Sequence, residues 1–200
     1  MNHKRLLIIA FILVALAQLF VPFRMMSKQA NLAKGGTEFY FKIRNNQSDS
    51  SLKGNAGSSV MGKNIWLQFE ADSFKLTDKK DWDFRRNAFV SFTKDSLGFA
   101  RVVSVTQKKP GTGSDWVKAG AYRAGKDSGI IRLSYPFKNY TIEDNNTKEF
   151  DSIFSKALNN PKSNLYLKIN IRENQFIVND LFIDSLSFKE FVRKAINKHN

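Results

Sequence analysis

The longest apolar run lies at the start of the chain, where Leu6 to Phe23 is broken only by Gln18 and Pro22 and is bounded by Lys4, Arg5 and Arg24. At about 1.5 Å of rise per residue such a run just reaches across a hydrocarbon core of roughly 30 Å. Ala15-Leu16-Ala17 has the small-x-small spacing of a signal-peptide cleavage site. The apolar pattern nevertheless continues through Leu19, Phe20, Val21 and Phe23, and residues 25–34 can prolong the helix to Gly35-Gly36, a helix stop. The expectation is an uncleaved membrane anchor helix over residues 1–34 with its apolar core at 6–23. The short tail then stays inside and the remainder lies outside, because long domains translocate with little regard to charge.

Beyond the glycines the period shortens to two. Phe39, Phe41 and Ile43 alternate with Tyr40, Lys42 and Arg44, as a half-buried strand requires. Residues 45–63 are rich in Asn, Ser and Gly and read as a mobile loop. Ile65, Leu67 and Phe69 then alternate against Trp66, Gln68 and Glu70, and further strands are expected at 88–92, 99–105, 116–123 and 130–135. Turn signals at Pro110-Gly111 and Asp127-Ser128-Gly129 separate them, which predicts an antiparallel sheet or a small curled barrel.

The period changes again over 147–158, where Phe150, Ile153, Phe154, Ala157 and Leu158 form one stripe of a helix begun near Asn145 or Asn146. A strand over 165–172 puts Leu165, Leu167, Ile169 and Ile171 on one face. Glu173-Asn174 is a tight turn, and 175–183 returns as the partner strand. Ser187 and Glu190 have capping-box spacing ahead of a second stripe made by Phe188, Phe191, Val192, Ala195 and Ile196. The predicted fold class is α+β: a transmembrane helix, then one mainly antiparallel β domain over 35–200 with two amphipathic helices near its C-terminus.

Composition removes most chemistry. The chain has no cysteine, which excludes disulfides, thiolate metal sites and cysteine nucleophiles. Its two histidines, His3 and His199, flank the chain ends, which argues against a histidine base or a multi-histidine metal site. No metal or cofactor is expected. Gly111-Thr112-Gly113-Ser114 lacks the P-loop lysine, and Glu143-Asp144 lacks EF-hand spacing. An enzyme here would be a hydrolase using Ser59 with a lysine, or a carboxylate such as Glu143. No lysine in the strands after Ser59 lies in an apolar stretch that would depress its pKa. A non-enzymatic protein is the expectation.

Charge adds the strongest positive feature. Lysine and arginine outnumber acidic residues 32 to 18, and residues 73–138 alone hold fourteen basic against six acidic side chains. Lys79, Lys80, Arg85, Arg86, Lys108 and Lys109 fall at expected strand ends or loops, interspersed with Trp82, Phe84, Phe89, Phe92 and Trp116. On a cytosolic protein this pattern suggests single-stranded nucleic acid. Behind a membrane anchor nucleic acid is not the expected partner, and anionic lipid head groups or an acidic envelope polymer take its place. The plain alternative is a solvated lysine-rich surface.

The stretch Gly62-Lys63-Asn64-Ile65-Trp66-Leu67-Gln68-Phe69, after one apolar segment and a first strand, resembles the bacterial GDYXXLXY protein family. Gly62 and Leu67 match its name-giving positions, Phe69 stands in for the terminal tyrosine, and Lys63 and Asn64 depart from Asp and Tyr. Residues 135–143, with Tyr135, Tyr140 and Glu143, are similar to the family's tyrosine-and-glutamate segment ahead of its helix. Residues 179–184 are similar to its closing strand. The resemblance implies a single-pass extracytoplasmic domain at the bacterial inner membrane, without an assigned activity, accessory to a multi-pass membrane protein. The residues themselves read as structural. Gly62 can supply a positive φ, and Leu67 and Phe69 share a core face. Glu143 can favour a helix N-terminus or bond a tyrosine hydroxyl.

Overall fold

A computed structural model describes residues 11, 13–14, 18, 32, 35–45, 59–61, 64–76, 86–113, 115–123, 129–141 and 147–197. The alternation of Phe39 and Phe41 becomes β1 (Thr37–Lys42), with both rings fully buried. β1 pairs antiparallel with β10 (Leu165–Arg172), which pairs with β11 (Gln175–Ile183) and then the short β12 (Leu186–Ser187). The β10–β11 hairpin turns at Glu173 and Asn174, with φ of 47° and 67°. Two positive φ values in a two-residue loop match the right-handed twist of the flanking strands.

A second sheet has the order β4-β8-β7-β5-β6, from β4 (Ser73–Lys75), β5 (Arg86–Lys94), β6 (Ala100–Thr106), β7 (Trp116–Arg123) and β8 (Ile130–Ser134). A third, small sheet joins β2 (Ser59–Met61), β3 (Asn64–Trp66) and β9 (Asn139–Thr141). All the strand pairs within these sheets are antiparallel.

The free edge of β1 draws the two large sheets into a nearly closed barrel. The Tyr40 N–H donates to the Gly98 carbonyl at 3.2 Å, just before β6, and the Arg44 N–H donates to the Gln68 carbonyl at 2.8 Å, just before β4. β6 and β4 are the two outer strands of the five-stranded sheet. β1 and the residues just after it therefore join that sheet's two ends through the segments preceding β6 and β4, and the remaining opening lies between β4 and β6. The interior is aromatic: the Phe41 ring meets those of Phe69, Phe92, Tyr135 and Phe137 at centroid distances of 4.9 to 5.8 Å, mostly edge to face. Such contacts add to the apolar area they remove from water, the main favourable term in folding.

The helix Thr147–Asn159 buries Phe154, Ala157 and Leu158 of its predicted stripe. The helix Phe188–Asn197 packs on β11 and β12 and buries Phe188. Its first turn is capped by Ser187, whose hydroxyl accepts the Glu190 N–H at 3.3 Å. The expected loop over 45–63 needs a correction: Ser59–Met61 form β2, because Val60 pairs with Ile65. The strand expected through Phe69 leaves its ladder at Trp66, and Phe69 instead bridges Ile43. Among the described residues no helix is long and apolar enough to cross a membrane. Most of the anchor expected over 1–34 lies outside them.

Candidate functional site

Of the positions singled out in the sequence, Phe69 and Tyr135 take part in a buried clamp with Ala71, Asp72 and Lys138. Leu67 and Phe69 are core residues, as their alternation predicts. Tyr140 is partly buried opposite Ile65. The Tyr135 hydroxyl donates to the Ala71 carbonyl at 2.6 Å. One Asp72 carboxylate oxygen accepts the Phe69 N–H at 3.0 Å and the Lys138 ammonium at 2.8 Å, and that ammonium also donates to the Leu133 carbonyl. Burial pushes the Asp72 carboxyl above its ordinary value, with Lys138 and the Phe69 N–H pulling the other way. Burial, and then the Asp72 charge, pushes the Tyr135 hydroxyl well up. Asp72 is 6% exposed and Tyr135 3%, so this arrangement holds two loops together and offers no surface to a substrate. Asp72 and Lys138 were not singled out in the sequence. Gly62 and Glu143 lie outside the described residues, and Ser59 opens β2 opposite Trp66.

The basic middle of the chain becomes a surface. The five strands of the larger sheet contain Lys75, Arg86, Lys94, Arg101, Lys118, Arg123 and Arg132 and not one acidic residue. Register places Lys75, Ile130, Arg132, Tyr122, Lys118, Phe89 and Arg101 on the outer face, opposite the core-facing Ile131, Leu133, Val117, Ala119 and Val90. Lys75, Lys118, Tyr122 and Arg101 are exposed. Of the other candidate contacts, Arg86 opens β5 opposite Ala121, whereas Lys79, Lys80 and Arg85 lie outside the described residues.

Lys108 and Lys109 sit on a crossover. β6 and β7 flank β5 and both run antiparallel to it, so residues 107–115 must return across the sheet to begin β7. They pass over the outer face. The Lys109 ammonium lies 5.7 Å from the centre of the Trp116 ring, and the Asp115 carbonyl accepts the Phe92 N–H at 3.0 Å. A cavity of about 510 Å³ lies beside this crossover, lined by Ser91, Ser104, Lys108, Lys109 and Pro110 among others. Trp116, on the solvent face by register, is only 4% exposed, and its indole N–H has no acceptor among the described residues.

The opening between β4 and β6 is a cleft of about 780 Å³ whose walls include Lys42, Glu70, Phe74, Arg101, Tyr166 and Asp184. Two ion pairs line it, Lys42 with Glu70 at 2.8 Å and Arg101 with Asp95 at 3.2 Å, beside Lys75 and Asp184. Among the described residues no three His, Cys, Asp or Glu side chains are grouped to hold a metal ion. No protein-family model, curated protein or solved structure matches the chain.

Proposed function

We propose that this chain is a non-enzymatic binding domain, held at the bacterial inner membrane by its N-terminal apolar segment, whose five-stranded sheet binds anionic lipid headgroups. The supporting observation is the charge of that sheet: seven basic residues and no acid on its strands. A lysine or arginine close to an anionic leaflet contributes about 1 kcal/mol, and the attraction fades within a Debye length of about 8 Å at physiological salt.

The test holds the full chain in zwitterionic nanodiscs and measures capture of phosphatidylglycerol vesicles. Capture is expected at low ionic strength and declines as salt rises. Replacing Lys75 and Lys118 with Gln weakens it about fivefold per lysine. Capture that ignores salt, or that is unchanged in K75Q/K118Q, overturns the reading. Capture of an acidic polymer but not of vesicles moves the function to the envelope polymer.

The second reading is an accessory role toward a multi-pass membrane protein, as the family resemblance implies. The cleft between the outer strands β4 and β6 favours it, since an unpaired edge is where another chain's strand adds. Affinity purification of the tagged full chain from gently solubilised membranes, with mass spectrometry, tests it. A stoichiometric multi-pass partner supports the role, and a chain recovered alone removes it.

A further inference from the structure

The polypeptide enters the domain at one end of the barrel, and the Trp116 crossover is at that same end. Thr37 is paired with Ile171, and a Cβ placed on Gly35 would meet the Arg172 guanidinium at 2.9 Å. Two residues on, the hairpin tip touches the crossover: the Asn174 N–H donates to the Trp116 carbonyl at 2.7 Å and the Gly113 N–H to a Glu173 carboxylate oxygen at 2.8 Å. Arg172 thus lies where the chain leaves its N-terminal segment, and the hairpin tip that follows it adjoins Lys118 through the Asn174 side chain and Lys109 through Trp116. Two features at this point are unexplained by the fold alone. The Lys109 ammonium lies over a ring face, and Trp116 buries an N–H that has no acceptor among the described residues, which costs free energy unless something supplies one.

We propose that this end of the domain, centred on Lys109 and Trp116, is a docking site for the phosphate of an anionic lipid headgroup. The inference rests on the proposed membrane attachment and names the part of the basic surface that meets the leaflet. A phosphate in the cavity beside residues 107–110 takes the Lys109 ammonium as its counter-charge, and drawing that ammonium off the indole face opens the buried Trp116 N–H to a phosphate oxygen. Ser91 and Ser104 line the same cavity and supply hydroxyl donors.

The experiment uses the full chain carrying W66F and W82F, so that Trp116 is the sole indole, in nanodiscs of phosphatidylcholine with or without phosphatidylglycerol. Two signals are read: Trp116 emission, and modification of Lys109 by an amine reagent, followed by mass spectrometry. Anionic discs are expected to shift the emission and to slow Lys109 modification about fivefold relative to zwitterionic discs, as one lysine–lipid contact implies. The K109Q variant, with its melting midpoint unchanged, loses the emission shift. Identical signals in both lipids, or an emission shift that survives K109Q, overturn the site. The same shift produced by inorganic phosphate in zwitterionic discs reassigns it to a free anion and overturns the lipid source. Salt-sensitive vesicle capture that persists in K109Q leaves the basic sheet as a binding surface while removing this site. Loss of capture in K75Q/K118Q with the Trp116 response intact separates the two the other way.

Discussion

The Lys138 ammonium reaches back to lie 2.8 Å from a carboxylate oxygen of Asp72, joining the turn after β8 to the turn before β4. Both side chains are withdrawn from solvent, and the other Asp72 oxygen has no partner among the described residues. Removing one member of such a pair leaves a buried charge uncompensated. Asp72→Ala is therefore expected to destabilise the domain by about 3–5 kcal/mol in urea unfolding. Asp72→Leu combined with Lys138→Met is expected to recover most of that loss. A double variant no more stable than D72A would show that the pair is not the source of the cost.

Titration gives the same carboxylate a sign. Its folded pKa is raised above the ordinary 3.8, so the stability it contributes is complete below that value, where it is neutral in both states. That stability is lost as pH rises through the folded pKa. Asn stays neutral throughout. The difference in melting midpoint between Asp72→Asn and the parent chain should shift in favour of the variant as pH rises above 3.8. Glu38 acts oppositely. Burial pushes it up, but hydrogen bonds from Lys168 and Tyr40 outweigh that and hold it below 4.5, so its contribution is lost as pH falls through its folded value. A pH-independent difference for D72N would contradict the assignment.

Asn174 carries two jobs at the hairpin tip. It sits at φ 67°, and its side-chain oxygen accepts the Lys118 N–H at 2.7 Å, completing the edge of β7 where β8 has ended. Asn174→Gly keeps the backbone conformation and loses only that acceptor, at a cost of about 1–2 kcal/mol. Asn174→Ala adds the strain of a left-handed residue, about 1–2 kcal/mol more. Equal urea midpoints for the two variants would refute this division.

Gly98 closes the turn that brings β6 to β1. Its φ is +84°, and a Cβ there would come within 3.2 Å of the Tyr40 ring, which itself meets Phe99 and Tyr166. Gly98→Ala is expected to cost about 1–3 kcal/mol and to loosen the β1–β6 junction. Amide exchange at Tyr40, whose N–H donates to Gly98, should accelerate in the variant, and unchanged exchange there would argue against the junction.

The long elements were readable because each buries one face over enough residues for the period to show. β1 alternates as predicted, β10 does so except at Asn170, which is buried on the face expected to point outward, residues 175–183 return as the partner strand, and Glu173-Asn174 turns where expected. β2, β4 and β9 are three residues each, too short for any period, and the pairing of β4 and β9 depends on partners dozens of residues away. Lys108 and Lys109 were visible as a charged pair. Their position over Trp116 was not, because it follows from β6 and β7 lying on opposite sides of β5.

Sequence alone determined the antiparallel β character, the two late amphipathic helices, the basic bias of the middle strands and the absence of thiol chemistry. Those depend on composition and on neighbours within one element. Tertiary structure decided that Lys75, Lys118 and Arg132 share one face of a sheet whose strands carry no acid, that Asp72 pairs with Lys138, and that the barrel stays open between β4 and β6. Each of these depends on which distant strand supplies the facing edge. Register across a sheet, rather than spacing along the chain, sets that choice.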